Sequence, residues 1–240
     1  MIWAPICSRG CTIRCIGRVR REPSPVITET KGFVHKSIGA GLELIKTLGD
    51  DNKFNVFSSN SSDVITRENL KNISSIIFLN TTGDILNLSE QEVIEEFIGN
   101  GKGFLGIHSA TDTEYDWKWY GGLVGAYFSN HPPGTALAKI NIIDNSHIAT
   151  QNFDKDWEIR DEWYNFYNIN KNINVLLNLD ETSYRGGEHG ENHPITWFHE
   201  YSGGRSFYTG LGHLAEIYSD ARFVDLLRGG ILYVSGKHNY

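Results

Sequence analysis

Residues 104–120 read Phe-Leu-Gly-Ile-His-Ser-Ala-Thr-Asp-Thr-Glu-Tyr-Asp-Trp-Lys-Trp-Tyr, and this stretch decides the fold. Its apolar start, 104–107, predicts a buried strand, and polar residues beginning with His108 follow at once. In an open α/β sheet, ligands bind beyond the carboxyl ends of the strands. The stretch therefore predicts a pocket for a polar small molecule. The alternative is a surface loop whose aromatic residues only cover the core.

Strands and helices alternate on the N-terminal side of this stretch. Apolar runs predict strands at 25–29, 54–57 and 75–79. Helical spacing of apolar residues predicts helices at 38–48, 66–72 and 89–98. This order predicts an α/β fold with a mostly parallel, doubly wound sheet and helices on both faces.

The C-terminal half has a different pattern. It contains strand-like runs at 136–143, 174–179, 195–198 and 205–209, with few helices between them and a closing helix at 222–234. No linker or internal repeat separates the halves. We therefore expect a single domain, residues 25–236, in which the second half extends the same sheet.

Charge and hydropathy limit the partners. The chain has 240 residues and a net charge of −7, which argues against nucleic acid because a phosphate backbone requires a basic protein face. No run reaches the roughly 18 apolar residues of a membrane span. We expect neither a nucleic-acid nor a membrane partner.

The first 24 residues form a basic leader that contains all three cysteines, Cys7, Cys11 and Cys15. Their spacing lacks the paired Cys-x2-Cys pattern of a zinc site. We expect this leader to lie outside the folded domain. The remaining chain then offers no thiol nucleophile.

Polar residues follow four predicted strands that are far apart in the sequence. His35 follows the first, Asn80 and Thr81 follow the third, His108 and Asp112 follow the fourth, and His213 follows the strand ending at Thr209. Because the carboxyl ends of parallel strands meet at one edge, we expect these side chains to converge.

Acid–base chemistry is the first interpretation of this convergence. Glu162 lies among aromatic residues that can raise its pKa, although an acid that only caps a turn is equally compatible. The candidate catalytic residues are His108, Asp112, Glu162 and His213. The candidate substrate-binding residues are His35, Asn80, Thr81, Tyr115, Asp116, Trp117, Tyr120, His131, Trp163, Tyr164, His193 and Trp197.

A series of motifs carries a family resemblance. The motifs are Gly32-Phe-x-His-x-Ser37, Phe78-Leu-Asn-Thr-Thr-Gly-Asp84, Gly106-Ile-His-x-Ala-x-Asp112, Trp119-Tyr-x-x-Leu-Val-Gly125, Asp161-Glu-Trp-Tyr164, His193-Pro-Ile-x-Trp197 and Gly210-Leu-Gly-His213. In this order they resemble the trehalose-utilisation (ThuA-like) family. The resemblance implies a flavodoxin-like sheet related to class I glutamine amidotransferases. Those enzymes place a cysteine in a tight turn where this chain has His108, so we expect no thiol amidotransferase chemistry.

The resemblance also implies a cytoplasmic protein that helps to use trehalose-like disaccharides, including their oxidised (keto-sugar) forms. In this interpretation His108 and His213 exchange protons with the sugar, Asp112 orients His108 or acts as a base, and Glu162 is a second acid or base. The aromatic residues supply stacking surface, and no cofactor is needed. A homo-oligomer is compatible with the sequence.

Two other functions stay open at this point. In one, His35, His108 and His213 hold a divalent ion with Asp112, and the protein is a metal-dependent hydrolase or isomerase. In the other, the protein is a non-catalytic module that binds sugar or regulates its use.

Overall fold

The computed structural model describes residues 23–52, 54–154 and 157–237, and it consists of a large sheet with helices packed against it. The strands are β1 (Pro23–Ile27), β2 (Asn55–Ser59), β3 (Ser75–Leu79), β4 (Gly103–Ile107), β5 (Tyr127–Asn130), β6 (Ala136–Ile142), β7 (Trp157–Asp161), β8 (Asn165–Tyr167), β9 (Asn174–Asp180), β10 (His193–Tyr201) and β11 (Gly204–Thr209). The helices are α1 (Ile38–Asn52), α2 (Arg67–Leu70), α3 (Leu88–Gly99), α4 (Lys118–Val124) and α5 (Ala221–Val234).

Nine strands form the main sheet in the order β2-β1-β3-β4-β11-β10-β9-β6-β7. The first five strands of this order pair in parallel, and every pairing from β11 to β7 is antiparallel. The sheet is therefore mixed, whereas the sequence predicted a mostly parallel one. The prediction that the second half extends the same sheet is confirmed.

A short connection explains the first antiparallel pair, β10 with β11. A parallel pair needs a long crossover, usually through a helix, whereas an antiparallel pair can be joined by two residues. β10 and β11 are joined by Ser202 and Gly203, both with positive φ, at 50° and 94°. Positive φ at both central residues is the backbone of a tight hairpin turn.

The parallel half positions the candidate site. β3 and β4 are buried along their whole length, as expected of strands at the centre of a covered sheet. β4 lies between β3 and β11, so these three strands end side by side. The loops that carry Asn80, His108 and His213 therefore leave the sheet at one edge.

The first strand starts slightly before its predicted position. β1 begins at Pro23, so residues 23 and 24 of the predicted leader belong to the sheet. Its prolines precede Val26, where pairing with β3 begins, so they remove no hydrogen bond from that pairing. The rest of the leader, with the three cysteines, lies outside the described residues. In the part of the chain that is described, no helix is long and apolar enough to cross a membrane.

Deletion of residues 1–21 should leave the domain intact, because the deletion stops before β1. We expect a melting temperature within about 3 °C of the full chain, since 1 kcal/mol shifts a domain of this size by about 2–4 °C. Differential scanning calorimetry of both chains measures this. A broad, non-cooperative transition of the shortened chain would show that the leader supplies part of the fold.

Candidate functional site

A tight turn at the end of β4 presents the His108 side chain. His108 has a φ of 50°, which a residue other than glycine adopts only at a cost in strain. Two hydroxyl groups hold this turn by donating to the His108 carbonyl oxygen, Tyr208 at 2.7 Å and Thr111 at 3.3 Å. The local structure thus fixes the direction in which the imidazole leaves the sheet.

The His108 ring is fully buried, and its two nitrogens have different surroundings. Nδ1 lies 2.8 Å from the carbonyl oxygen of Gly210. A carbonyl oxygen only accepts, so Nδ1 carries a proton and donates it. Nε2 lies 3.5 Å from Glu162 Oε2 and has no hydrogen-bond partner.

Glu162 lies between three histidines. Its Oε2 atom is 3.1 Å from His213 Nδ1 as well as 3.5 Å from His108 Nε2. Its Oε1 atom is 3.4 Å from Nδ1 of His131, an exposed residue at the rim. Burial raises the pKa of Glu162, but His108 and His213 outweigh this effect and hold the pKa well below its usual range. Glu162 in turn raises the pKa of His213.

His35 completes the group. It is 4% exposed, and its ring centroid lies 4.8 Å from that of His108 and 5.2 Å from that of His213. Burial, reinforced by these two histidines, lowers the pKa of His35 to about 3. His35, His108, Glu162 and His213 each offer a nitrogen or oxygen atom, and these atoms all lie within 4.8 Å of one another. We call these four residues the His/Glu cluster.

Asp161 positions the loop that carries His213. Its buried carboxylate accepts hydrogen bonds from the backbone N–H groups of Gly212, at 2.7 Å, and Leu214, at 3.0 Å. The carbonyl oxygen of Gly212 accepts from Ser37 and Asn80 on the opposite side. His213 is therefore held between two fixed peptide groups.

Two aromatic rings border the cluster. Tyr164 is buried, and its ring centroid lies 4.2 Å from that of His108. Phe33 is 61% exposed, lies 4.8 Å from His35 and is nearly parallel to the His213 ring at 6.4 Å. The peptide groups around Phe33 are bonded to Thr82, so the loop places this apolar ring at the mouth of the cluster.

The family model for trehalose utilisation (ThuA) matches residues 25–234. The chain belongs to the trehalose-utilisation family. No curated protein matches it. Among solved structures, a ThuA-like protein from Bacteroides uniformis is 21% identical, with a TM-score of 0.74 over 89% of this chain and 91% of that one. A ThuA-like protein from Parabacteroides merdae is 17% identical, with a TM-score of 0.70 over 92% of each chain.

The fold also resembles part of a larger enzyme. A β-galactosidase from Bacillus circulans sp. alkalophilus is 11% identical, with a TM-score of 0.60 over 90% of this chain but only 31% of that one. At these identities the structural likenesses establish the fold alone.

The structure brings the histidines that follow the strands together, as the sequence predicted. His35, His108 and His213 meet, and Glu162 joins them. Asp112 does not orient His108, because the Gly210 carbonyl takes that position. The Asp112 carboxylate instead accepts from the Tyr115 hydroxyl at 2.6 Å, and burial raises the pKa of Asp112.

Other residues proposed from sequence to bind substrate are enclosed in the protein interior. The rings of Tyr120, Trp163 and Trp197 are almost fully buried, and each donates to a backbone carbonyl. These rings have no free face for a sugar. Thr81 is buried too, hydrogen-bonded to Thr113.

Three further candidates lie elsewhere. Asp116 is exposed. Trp117 stacks on Trp119 and donates to Glu95 on the surface. His193 is bonded to Glu181 at 2.7 Å and to the Tyr164 carbonyl at 2.8 Å, so it supports the backbone of Tyr164 and does not enter the cluster.

Sequence reasoning missed Asp161 and Phe33 as site residues. Asp161 precedes a residue that was proposed as catalytic, but nothing in the sequence shows which N–H groups its carboxylate accepts from. Phe33 has a clearer signal, because it follows the first predicted strand and lies two residues before His35. An aromatic residue at that place is a candidate for contact with a ligand.

Proposed function

We propose that this chain is a cytoplasmic enzyme of trehalose utilisation that acts at the His/Glu cluster on a trehalose-like disaccharide, in particular one oxidised to a ketone. One observation carries the proposal: four polar side chains from separate loops converge at the carboxyl ends of the parallel strands, beside the exposed ring of Phe33. Membership of the trehalose-utilisation family supports a trehalose-like substrate.

The cluster is suited to bind and polarise an oxygen atom of the sugar. Its carboxylate and imidazole atoms face one another in a buried space, where electrostatic interactions are stronger than in water. His213 is 22% exposed on its side chain, so it is the member that a ligand reaches from outside. Phe33 then contacts the apolar C–H face of the same sugar.

Asp112 is the residue suited to move a proton. It is half-buried, its raised pKa makes it a stronger base than a solvated carboxylate, and His108 and His131 lie close enough to act on its charge. In the proposed step Asp112 removes a proton from the carbon beside the sugar ketone. The cluster stabilises the negative charge on the ketone oxygen. The proton then returns to the former ketone carbon while the adjacent hydroxyl passes its own proton to the former ketone oxygen, or it joins a departing hydroxyl, which leaves as water. Such proton transfer contributes roughly 10²–10⁴-fold.

Incubation with trehalose and its keto derivative in D2O tests the proposal. We expect deuterium at the carbon beside the ketone, detected by NMR, with roughly 10²-fold slower uptake in Asp112→Asn. Asp116→Asn is the matched control, since Asp116 is exposed on the same loop. Sugar binding without exchange or product would indicate a non-catalytic binding module. If no disaccharide or keto-disaccharide binds, the proposal is wrong.

Phe33→Ala should weaken sugar binding and leave the fold intact. The ring is exposed, so its loss opens no cavity, but it removes the apolar face at the mouth of the cluster. Burial of such a face is worth about 1–2 kcal/mol, or roughly tenfold in Kd. Isothermal titration calorimetry measures this against Phe57→Ala, a partly exposed phenylalanine on β2. Equal affinities of the two variants would show that the sugar does not contact Phe33.

A further inference from the structure

The nitrogen of His108 that faces the cluster lacks a positive partner. The Gly210 carbonyl fixes the proton on Nδ1, so in the neutral ring Nε2 presents a lone pair. This lone pair faces Glu162 Oε2 at 3.5 Å, and His108 is fully buried. Two acceptors in a buried site repel each other unless a positive charge lies between them.

A single proton cannot bridge all the atoms that face one another here. His213 Nδ1 is 3.1 Å from the same Glu162 oxygen, and it too lacks a partner in hydrogen-bond geometry. One carboxylate oxygen therefore faces two imidazole nitrogens, and the His35 ring lies edge-on to both histidines. The arrangement fits a positive ion that all four side chains share.

We propose that the His/Glu cluster binds one divalent transition-metal ion of the zinc class, with His35, His108, Glu162 and His213 as its ligands. Nitrogen and oxygen ligands lie about 2.0–2.1 Å from zinc, so a tetrahedral pair is roughly 3.3 Å apart. The separations of 3.1 and 3.5 Å around Glu162 match this value. All the ligand atoms lie within 4.8 Å of one another. A contraction of less than about 1 Å therefore brings any pair to the spacing of opposite ligands in a higher coordination number.

The choice of donors selects the kind of metal. Three imidazoles and one carboxylate suit zinc, iron, nickel or copper, whereas magnesium and calcium prefer oxygen ligands. The surroundings also resemble those of a metal site. The Nδ1–H group of His108 donates to a carbonyl, and such contacts orient metal-binding histidines. Asp161 fixes the loop of His213.

The set differs from the one suggested by sequence, because Glu162 takes the place of Asp112. Asp112 is bonded to Tyr115 and lies outside the four residues. A bound ion would polarise the sugar oxygen, and Asp112 would stay free to move the proton. Metal binding itself does not depend on the identity of the substrate, so it is tested separately from turnover.

Calorimetric titration of the metal-free full chain with Zn²⁺ and with Mg²⁺ tests the inference. The chain carries Cys7→Ser, Cys11→Ser and Cys15→Ser, which remove the thiols that also bind zinc. We expect one equivalent of Zn²⁺ and no saturable binding of Mg²⁺. Glu162→Gln should weaken Zn²⁺ binding at least 100-fold. Co²⁺ in place of Zn²⁺ should give an absorption spectrum that reports the coordination number.

Glu181→Gln is the matched control, because Glu181 also pairs with a buried histidine, His193, outside the cluster. It should bind Zn²⁺ as the parent chain does. Equal weakening in both variants, or less than a tenth of an equivalent of Zn²⁺ in the parent, overturns the metal site. If the parent chain binds no Zn²⁺ but catalyses deuterium exchange into the keto-sugar, the metal site is refuted and the sugar chemistry stands. Bound zinc without any sugar binding would support the metal site and contradict the proposed sugar chemistry.

Discussion

His108→Asn should abolish turnover of the sugar and leave a folded protein. Asparagine offers an amide N–H near the position of Nδ1, so the bond to the Gly210 carbonyl can be kept. It also tolerates the positive φ of this turn better than most residues do. What it lacks is the Nε2 atom that faces Glu162. We expect a loss of roughly 10³-fold in kcat/KM, or about 4 kcal/mol of transition-state stabilisation.

The control for this substitution is another buried histidine. His199 is 1% exposed, and its Nε2 atom donates to the Gly122 carbonyl at 2.9 Å. Glutamine keeps a donor near that position, so His199→Gln should change stability about as much as His108→Asn and leave turnover unchanged. Circular dichroism melts and initial rates separate the two effects. If His108→Asn keeps more than a tenth of the parent rate, His108 is a structural residue of the turn.

The position of the cluster could be predicted from sequence because it follows from topology. His35, His108 and His213 each come shortly after a strand of the parallel half, and parallel strands end at one edge. Glu162 reaches the same place from β7, the strand that ends at Asp161 at the far side of the sheet. The sequence around Glu162 showed an acid among aromatic residues, but it did not show which side chains this acid would contact.

The aromatic contacts could not be predicted in the same way. A large sheet needs bulky side chains on its faces, and Trp163 and Trp197 supply them. In sequence, a tryptophan that fills the core looks the same as one that binds a sugar. The partner of Asp112 was missed for a different reason, since it is a local pairing with Tyr115 three residues later. Which partner a side chain contacts depends on the direction in which it points, and an assignment of strands and helices does not contain that direction.

The mixed sheet has a physical consequence for the site. The antiparallel half brings β7 into the sheet, and β7 delivers Asp161 and Glu162 together. One carboxylate accepts from backbone N–H groups at Gly212 and Leu214, and the other faces the histidines. The loop after β11 is thereby coupled to the end of β7. The geometry of His213 should depend on a residue that does not belong to the cluster.

Asp161→Ala should destabilise the protein and displace His213. The substitution leaves the buried N–H of Gly212 and the part-buried N–H of Leu214 without an acceptor, and a buried group left so costs about 1–3 kcal/mol. The backbone has no easy way to compensate. Gly212 has a φ of 131°, and its carbonyl is already bonded to Ser37 and Asn80. We therefore expect a loss of about 2–5 kcal/mol in the free energy of unfolding, measured by urea denaturation.

A loss of function measured well below the melting temperature shows that Asp161 positions His213 as well as stabilising the fold. At such a temperature Asp161→Ala is still folded, and we expect weaker Zn²⁺ binding and a lower kcat because His213 is displaced. Asp161→Asn retains one acceptor oxygen and should fall between the parent and the alanine variant in both measurements.

Asp180→Ala is the control. It removes a carboxylate that also accepts from a backbone N–H, that of Thr182, but lies at an exposed turn. It should leave both measurements unchanged. If Asp161→Ala is destabilised as expected but binds Zn²⁺ and turns over sugar normally in its folded fraction, the bonds that Ser37, Asn80 and Tyr218 make to the Gly212 carbonyl hold the His213 loop, and Asp161 contributes only to folding.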